Sequence, residues 1–494
     1  MIDPRDPFIT GIPYFPLGLA SLAASLSNGG HFVTVVDAFG SAPKLVSPWG
    51  RWWIQGLLPA ETAERVLKQK PDAAFVFAGT VVAHGVLLTL IQEIRRRSPV
   101  LPIVVLENTQ AVTGYSLRRR LPDFFSAGAT HVLTGEADRR APRLLTDWEE
   151  GRQSGDAIDG LYAIRNGRIT GSPPEKVIED LDALPWPAWP LFPLEGYWSL
   201  GYAHGPARRK HLPLLTSRGC PYPCAFCVVP KTSQGRWRKR SAANVADEMA
   251  HWKNTLGVRE FHLEDLNPSL DEERLRELSR ILIERDLRVA WRIVSGMKLD
   301  PIRRPDTFDL MASAGCDYLS FSPESGSPRV LAAMKKTFPF ETASKTVQRL
   351  ARLGVRTQAC FILGFPGETD ADRRETAAYV RQLARAGLDE VALFAASPLP
   401  GSALSETTAG PADLADLNFS LAGRKNDTGL RTWRWRLYAA FLFVKLIRYP
   451  FRVIAQALRF GRRTFDTKME MAPYRALCVV WWKTKTTRRG GGPW

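Results

Sequence analysis

The chain has 494 residues, of which 45% are hydrophobic and 24% are charged. This composition is typical of a globular protein and excludes a disordered chain, a collagen-like fibre and a small disulfide-stabilised domain. A chain of this length is expected to form about three domains. Its longest apolar run, 437–444, has eight residues, whereas a membrane-spanning helix needs ~20. The sparse cysteines and the absence of a signal-peptide pattern predict a cytoplasmic protein.

The net charge of +17 is unevenly distributed along the chain. Residues 431–494 contain 15 Lys and Arg residues but only two acids, Asp466 and Glu470, so this segment alone carries +13. A basic segment of this kind is expected to meet an anionic partner, such as nucleic acid, anionic lipid or an acidic substrate.

The first 145 residues alternate between helix and strand patterns. Apolar residues at helical spacing from Leu17 predict a helix that ends at Gly29-Gly30, and the run from His31 to Asp37 predicts a strand. Further strands are predicted at 73–78, 103–106 and 131–134, with a helix over 85–98. This alternation predicts a parallel sheet covered on both faces. Residues 1–145 are therefore predicted to form a Rossmann-like α/β domain that binds ligands at the carboxyl ends of its strands.

Residues 146–210 are predicted to be a connector. A hairpin is expected around Asn166-Gly167, and the proline-rich stretch 185–190 marks a boundary. Six strand–helix units follow in residues 211–405, with strands predicted at 213–217, 260–265, 290–295, 317–322, 357–363 and 391–394. This density favours a partial (β/α)6 barrel, whose strand ends carry the chemistry. Residues 406–494 are predicted to form a basic, aromatic-rich helical C-terminal domain.

Three of the six cysteines cluster in the loop after the first barrel strand. Cys220, Cys224 and Cys227 have the spacing C-x3-C-x2-C. Thiolates this close together in sequence bind a soft metal or an iron–sulfur cluster. Three ligands on a four-iron cluster leave one iron open to a substrate or cofactor. The alternatives are unliganded core cysteines or a closed zinc site, which needs a fourth ligand that the nearby histidines do not supply at the usual spacing.

This spacing, with Phe226 before the last cysteine and a partial barrel around it, resembles the radical S-adenosylmethionine (SAM) superfamily over residues 213–403. The resemblance implies that Cys220, Cys224 and Cys227 ligate a [4Fe–4S] cluster whose open iron is chelated by SAM. It also implies an electron donor such as flavodoxin or ferredoxin. In this superfamily the reduced cluster cleaves SAM to a 5′-deoxyadenosyl radical, which abstracts hydrogen from an unactivated carbon.

Further segments are similar to this superfamily in the expected order, namely 261–265, 320–327, 361–369 and 397–402. By resemblance, acids at the end of the second strand face the SAM amino group, the fourth-strand segment faces the ribose and carboxylate, and the fifth-strand turn packs on the adenine. The residues that would line the SAM site are Phe226, Glu264, Asp265, Glu324, Ser325, Gly364 and Gly367. Alternatively, the acids are helix caps and the glycines form a tight turn.

The N-terminal domain resembles the cobalamin-binding domain of cobalamin-dependent radical SAM enzymes at residues 14–37 and 134–138. The residues that would face cobalamin by this resemblance are Leu17, Gly18, Asp37, Gly135 and Glu136. Two departures are present: residues 1–12 are short and polar where a strand is usual, and Glu107 to Gln110 stand where glycines and a histidine are common. The alternative is a Rossmann-like domain that packs on the barrel or shapes a substrate cavity.

Residues 431–463 contain nine cations and no acid, interleaved with aromatic residues. The pattern predicts two amphipathic helices broken at Pro450. They are expected either to cover the barrel or to dock on an anionic membrane surface, which would place the protein at the inner membrane face. A less favoured alternative is contact with nucleic acid, in which aromatic rings stack on bases and cations meet phosphates. The tryptophan-rich segment 49–53 would either face a lipid-like substrate or fill a gap.

The resemblance implies methyl transfer from methylcobalamin to an unactivated carbon of a small-molecule or lipid-like substrate. One alternative is radical cyclisation or rearrangement without methyl transfer. A second is an RNA methylthiotransferase, which needs another cluster, although Cys316, Cys360 and Cys478 lie far apart in sequence. A third is a non-catalytic iron–sulfur module.

Overall fold

The computed structural model describes residues 1–152, 158–421 and 428–489. The predicted connector, 146–210, and the predicted C-terminal domain, 406–494, therefore each include residues outside the described part. Within the described part the chain has the predicted α/β architecture: an N-terminal sheet, a six-stranded parallel sheet and a set of C-terminal helices.

The N-terminal sheet has five strands that lie side by side in chain order. Its first three strands are parallel, and its last two form an antiparallel hairpin. The hairpin turn at Asn166 and Gly167 has positive φ at both residues, as a tight two-residue turn requires. This hairpin, predicted within the connector, instead extends the sheet. The strands are Ala74–Ala78, Ile103–Glu107, His131–Leu133, Leu161–Arg165 and Arg168–Gly171.

Helices cover both faces of this sheet, as predicted. Alternate residues of the central strand point to opposite faces, so Val104 joins one apolar cluster and Val105 joins the other. Leu17–Asn28 and Ala137–Glu149 pack together on one face. The other face is covered by Pro59–Lys68, His84–Arg97 and Leu121–Ser126.

The segment from His31 to Asp37 does not form the predicted strand. Its side chains alternate between more and less exposed positions, and Phe32 is 96% exposed. An extended apolar run becomes a strand only when a neighbour accepts and donates its backbone hydrogen bonds. No described strand pairs with this segment, and Ala74–Ala78 remains the edge of the sheet.

Part of the N-terminal region packs away from the sheet. Strands Val46–Trp49 and Trp52–Gln55 form a separate hairpin, and Ile2 makes a backbone bridge to Trp53. This hairpin lies against the C-terminal helix Lys468–Arg489, where Trp53 and Val46 share an apolar cluster with residues of that helix. The tryptophan-rich segment therefore fills a gap between the two ends of the chain.

The second sheet has six parallel strands in chain order, and its first and sixth strands do not pair with each other. This confirms the predicted partial barrel. The strands are His211–Leu214, Glu260–Leu263, Ala290–Met297, Cys316–Glu324, Arg356–Leu363 and Glu390–Ala395. The helices between them are Ala242–Leu256, Glu272–Glu284, Asp306–Ser313, Pro328–Ala333, Phe340–Arg352 and Asp370–Ala386.

The inner face of the barrel sheet is polar. Leu212 and Phe261 alternate outward into the apolar cluster formed with the surrounding helices. The intervening His211 and His262 are buried, with their rings stacked at 4.9 Å between centroids. Groups that could bind a polar ligand are therefore concentrated inside the barrel rather than around it.

The C-terminal region contains three helices, Thr428–Arg448, Pro450–Arg462 and Lys468–Arg489. The predicted break at Pro450 is confirmed, whereas the third helix was not predicted. The first packs on Asp370–Ala386, and the third packs on the last barrel strand. None of the described helices is sufficiently long and apolar to cross a lipid bilayer.

Short elements complete the described chain. Ser217–Arg218 and Arg238–Lys239 form a two-residue antiparallel ladder. The short α-helices are Ala38–Ser41, Leu194–Trp198, Val229–Thr232 and Leu404–Thr407, and the 3-10 turns are Val81–Ala83, Leu117–Arg120, Trp189–Leu191, Pro268–Leu270 and Leu414–Asp416.

Candidate active site

The three clustered cysteines begin immediately after a turn that requires glycine. Ser217–Arg218 pairs with Arg238–Lys239 at the base of the cysteine loop. Gly219 follows with φ of +81°, and a Cβ atom there would collide with the carbonyl oxygen of Arg236. Only glycine combines this backbone angle with such a close approach. The turn therefore fixes where Cys220 leaves the strand.

Two backbone hydrogen bonds hold the cysteine loop over the carboxyl ends of the barrel strands. The amide of Ala225 donates to the carbonyl oxygen of Met334 at 2.9 Å, and the amide of Leu404 donates to the carbonyl oxygen of Ala225 at 2.8 Å. Met334 follows the fourth strand and Leu404 follows the sixth. The loop is thus tied to the same end of the barrel at which parallel α/β barrels carry their chemistry.

The three thiols are free and half-buried. Burial raises the pKa of all three, that of Cys227 to about 12, while the Val229 amide lowers the pKa of Cys227 in part. A bound metal must therefore displace these protons to form thiolates. No three His, Cys, Asp or Glu side chains in the described ranges are placed to bind a single metal ion. A four-iron cluster takes its thiolates on different irons, so the loop fits a cluster better than zinc.

A buried ion pair lies beside the cysteine loop. Glu324, the last residue of the fourth strand, accepts a hydrogen bond from Lys336 Nζ at 2.8 Å, and both side chains are less than 10% exposed. Burial alone would lower the pKa of Lys336, but Glu324 and the nearby thiols raise it above its ordinary value. Glu324 also has φ of +65°, a strained angle for a residue with a Cβ.

A second lysine reaches the same loop. Lys298 Nζ lies 4.2 Å from the centroid of the Tyr222 ring and 3.0 Å from Asp300. The charges of Lys298 and Lys336 both lower the pKa of Cys220, partly offsetting the effect of burial. Sequence reasoning missed both lysines, because only the fold brings them beside the cysteines. Their charge favours the anionic state of a thiolate-bound cluster.

Two residues predicted to face SAM, Asp265 and Ser325, are buried and hydrogen-bonded to other residues of the protein. Asp265 is fully buried, and its carboxylate accepts hydrogen bonds from the amide and hydroxyl of Thr216 and from the hydroxyl of Ser217. Ser325 is also buried, accepts from the Ser327 amide at 3.1 Å and contacts Thr376. The unpaired backbone groups at strand ends recruit such side chains. Asp265 therefore holds the start of the cysteine loop.

The other predicted SAM residues differ in their exposure and in their contacts. Both oxygens of Glu264 lie 2.8 Å from His204 Nδ1, and 19% of the Glu264 side chain stays accessible. The turn after the fifth strand has positive φ at Gly364 and Gly367, and Arg329 donates a hydrogen bond to the Gly367 carbonyl oxygen at 2.7 Å. Phe226 is partly buried against the barrel core.

The two acids predicted to face cobalamin are occupied by protein partners. Asp37 accepts from the amides of Phe39 and Gly40 and from the Tyr197 hydroxyl, all within 3.1 Å. Glu136 accepts from Arg238 at 2.8 and 2.9 Å and from the Ile178 amide. Both carboxylates therefore stabilise the protein itself. In the same predicted set, Leu17 packs into the barrel cluster and Gly18 lies against the Phe77 ring.

The segment Glu107 to Gln110 has a structural role in this chain. Glu107 is buried and accepts from the amides of Leu117 and Gly135 at 2.9 and 2.7 Å. Gln110 Oε1 accepts from the amide of Gly219 at 3.2 Å, next to Cys220. The carboxyl edge of the N-terminal sheet therefore contacts the cysteine loop directly.

Buried ion pairs reinforce this contact between the two sheets. Arg218 donates to Asp138 at 2.7 and 3.0 Å, and Arg238 donates to Glu136. In addition, the Ser116 amide donates to the Pro400 carbonyl oxygen at 2.9 Å. The carboxyl ends of both sheets thus face each other across the cysteine loop.

Comparison with known proteins identifies the barrel. Residues 214–398 match the radical SAM superfamily. The chain therefore contains a radical SAM domain. An uncharacterized methyltransferase of Pyrococcus horikoshii is 26% identical over 396 residues, which cover 79% of this chain and 78% of the relative. The cytidylyl-2-hydroxyethylphosphonate methyltransferase of Streptomyces wedmorensis is 27% identical over 423 residues, with coverage of 79% and 77%.

A solved structure extends the likeness to the whole architecture. The radical SAM methyltransferase TsrM from Kitasatospora setae, solved with tryptophan substrate and a SAM analogue, superimposes with a TM-score of 0.65. The two proteins are 18% identical, and the match covers 87% of this chain and 86% of TsrM. The radical SAM enzyme thus has the TsrM fold, and its radical SAM domain implies a [4Fe–4S] cluster and SAM as cofactors.

We expect each of Cys220→Ala, Cys224→Ala and Cys227→Ala to lose the cluster and reductive SAM cleavage. Each variant removes one of three thiolates, and two ligands do not retain a four-iron cluster. Iron analysis and 5′-deoxyadenosine formation after anaerobic reconstitution measure the two losses. Cys478→Ala, on the C-terminal helix, is the control and should retain both. A triple cysteine variant that still cleaved SAM would contradict the assignment.

We expect Lys336→Met to lower the free energy of unfolding by roughly 3–5 kcal/mol, because it leaves the Glu324 carboxylate buried without a partner. Anaerobic urea denaturation measures the change. Lys345→Met provides the control, since Lys345 pairs with Glu341 on the surface and both side chains are more than 70% exposed. Equal stability of the two variants would mean that the Lys336–Glu324 pair does not stabilise the loop.

Proposed function

We propose that this radical SAM enzyme is a cobalamin-dependent methyltransferase that methylates an unactivated carbon of a small-molecule or lipid-like substrate. The observation that carries the proposal is the contact of the N-terminal sheet edge with the cysteine loop, through Gln110 and Gly219. This contact brings a predicted cobalamin edge next to a predicted cluster site. The methyltransferase names of the two relatives support the reaction type.

Some barrel residues would bind the cofactors, and others would position or charge-balance those residues. In the proposal, Cys220, Cys224 and Cys227 hold the cluster, which when bound supplies the electron that cleaves SAM. Glu264, whose side chain is 19% accessible, would meet the amino group of SAM. Glu324 would meet the ribose. Lys336 pairs with the Glu324 carboxylate, and Lys298 adds positive charge beside the cysteines.

The edge of the N-terminal sheet fits a large, mostly apolar cofactor such as cobalamin. Its two carboxylates, Glu107 and Glu136, are neutralised or hydrogen-bonded within the protein. Neutral side chains remain on the segment that follows Glu107, including Asn108, Gln110 and the 55% exposed Val112. Cobalamin, when bound there, would supply the methyl group. A structure of TsrM holds both cobalamin and a [4Fe–4S] cluster.

Two alternative reactions, methylthiotransfer and radical cyclisation, differ from methyl transfer in the cofactors that they need. A methylthiotransferase needs a second cluster, but Cys316 is buried in the fourth strand, Cys360 lies in the fifth, and Cys478 lies on the C-terminal helix. Radical cyclisation without methyl transfer uses the same barrel site and differs only in what the N-terminal edge holds.

We expect anaerobically reconstituted protein to contain about four irons and about one cobalt per chain. With SAM labelled at the methyl carbon, a methylated product should carry the label. Metal analysis and mass spectrometry of the product measure these outcomes. A protein with the iron but without cobalt, or a product without the label, would contradict methyl transfer and favour cyclisation or rearrangement.

We also propose that the C-terminal helices contact an anionic membrane surface. Apolar side chains are exposed at helical spacing within each of the helices Thr428–Arg448 and Pro450–Arg462, and Phe451 is 83% exposed. We call these side chains the apolar stripe. The stripe consists of Phe443, Ile447, Phe451, Ile454 and Leu458. Residues 431–463 carry nine cations and no acid. An apolar stripe flanked by cations is the pattern of helices that lie in the interface of anionic membranes.

We expect the protein to sediment with vesicles of phosphatidylglycerol and phosphatidylcholine but not with phosphatidylcholine alone, and added salt should weaken binding. The double variant Phe451→Ser and Ile454→Ser should lose most of the binding because it removes the apolar stripe. Val100→Ser, an 89% exposed apolar site on the N-terminal domain, is the control. Unchanged binding of the double variant, or preference for RNA over vesicles, would refute the membrane contact.

A further inference from the structure

Side chains from three distant segments converge at the open side of the barrel. Tyr14 comes from the N-terminal region, His204 from the connector, and Lys468 and Arg475 from the last helix. The rings of Tyr14 and His204 lie 4.6 Å apart, and His204 bonds Glu264 at the end of the second strand. We call Lys468 and Arg475 the helix cations. Neither the cysteine loop nor the predicted SAM contacts use them.

Lys468 reaches the inner face of the barrel without an acidic partner. Its Nζ donates to the carbonyl oxygen of Val294 in the third strand at 2.8 Å and lies 3.4 Å from His204 Nε2. No carboxylate of the described residues lies within 4 Å of it. Burial lowers the pKa of Lys468. The surroundings therefore disfavour its charged form.

Arg475 repeats this situation two turns further along the same helix face. It is 3% exposed, donates to the Phe8 carbonyl oxygen at 2.6 Å, and its Nε has no partner among the described atoms. Burial lowers its pKa as well. Other buried arginines, such as Arg218 and Arg238, are paired with carboxylates. A buried cation without a counter-charge is costly to maintain.

Three neighbours of the helix cations are only partly buried. Tyr14 is 40% exposed, and the side chains of His204 and Glu264 keep 14% and 19% of their area. Burial raises the pKa of Tyr14 and lowers that of His204, so both are neutral at neutral pH. Among the nearby acids, Glu264 is bonded to His204, Glu390 accepts from the Met469 amide, and Asp6 pairs with Arg434.

One thiol, that of Cys360, lies between the influence of Lys468 and that of Glu324. The charges of Lys468 and Glu324 both act on the pKa of the Cys360 thiol, so this thiol lies within electrostatic range of both groups. A substrate held by the helix cations would extend along the inner face of the barrel toward Glu324. The position suits a substrate anchor rather than a cofactor ligand.

We propose that the helix cations bind an anionic group of the substrate, a carboxylate or a phosphonate or phosphate, with the Tyr14 hydroxyl as a neutral hydrogen-bond donor. The inference rests on the proposed function, for which it specifies the substrate class. An anion supplies the counter-charge that both cations lack and forms charge-assisted hydrogen bonds to them. A neutral substrate would leave both cations without a counter-charge.

Calorimetric titration of the reconstituted protein with SAM tests this, using methylphosphonate and acetate as probes and acetamide as the neutral counterpart. We expect saturable binding of at least one anion and none of acetamide. Lys468→Met and Arg475→Met should each weaken anion binding by about tenfold or more. Lys485→Met is the matched control, because it removes one exposed cation from the same helix. The better of the two anions distinguishes a carboxylate from a phosphonate or phosphate substrate.

The stability of the variants distinguishes a substrate anchor from a pair of cations that only stabilise the fold. Without an anion, Lys468→Met and Arg475→Met should unfold no earlier than the wild type, because each removes a cation that has no carboxylate partner. Equal anion binding by all variants, or strong destabilisation of the helix-cation variants with no anion binding by the wild type, would overturn the proposal. Anion binding requires no methyl transfer, so this result is independent of the cobalt and product measurements that test the proposed function.

Discussion

Two buried ion pairs join the N-terminal sheet to the cysteine loop, and the relative position of both candidate cofactor sites depends on them. Arg218 pairs with Asp138 and Arg238 pairs with Glu136, on either side of Gly219 and the first cysteine. Burying such charges is expensive, but removing one partner from a formed pair is more so. Loss of one partner from either pair would therefore leave an uncompensated charge at the junction of the two sheets.

Other cations of the chain differ from these in whether they have a carboxylate partner. Lys336 pairs with Glu324 next to the cysteines, where its charge also acts on the thiols. Lys468 and Arg475 are held inside the barrel opening without carboxylate partners, and the cations of the first two C-terminal helices flank an exposed apolar stripe. The excess of positive charge is thus divided among the predicted cluster site, the proposed substrate anchor and the proposed membrane surface, each with a different expected anion.

Sequence reasoning placed the main elements well. The six barrel strands and the helix over 242–256 follow from apolar periodicity, which reports local backbone preference and burial on one face. It failed at His31 to Asp37, because a strand needs a partner that no local pattern supplies. It also assigned the hairpin at Asn166 to a connector, although that hairpin completes the N-terminal sheet. The hydrogen bonds that Asp265, predicted to face SAM, accepts from Thr216 and Ser217 also have no local signal in the sequence.

The sequence by itself determined the chemistry: three cysteines at a cluster spacing, the barrel that carries them, and the basic C-terminal segment. These are local patterns, so neighbouring residues are enough to show them. Only the tertiary structure decided which side chains share a site with the cysteines or with Glu264. Lys298 and Lys336 reach the cysteine loop, and Lys468 approaches His204 from a helix 264 residues away, because folding joins groups whose separation in sequence carries no signal.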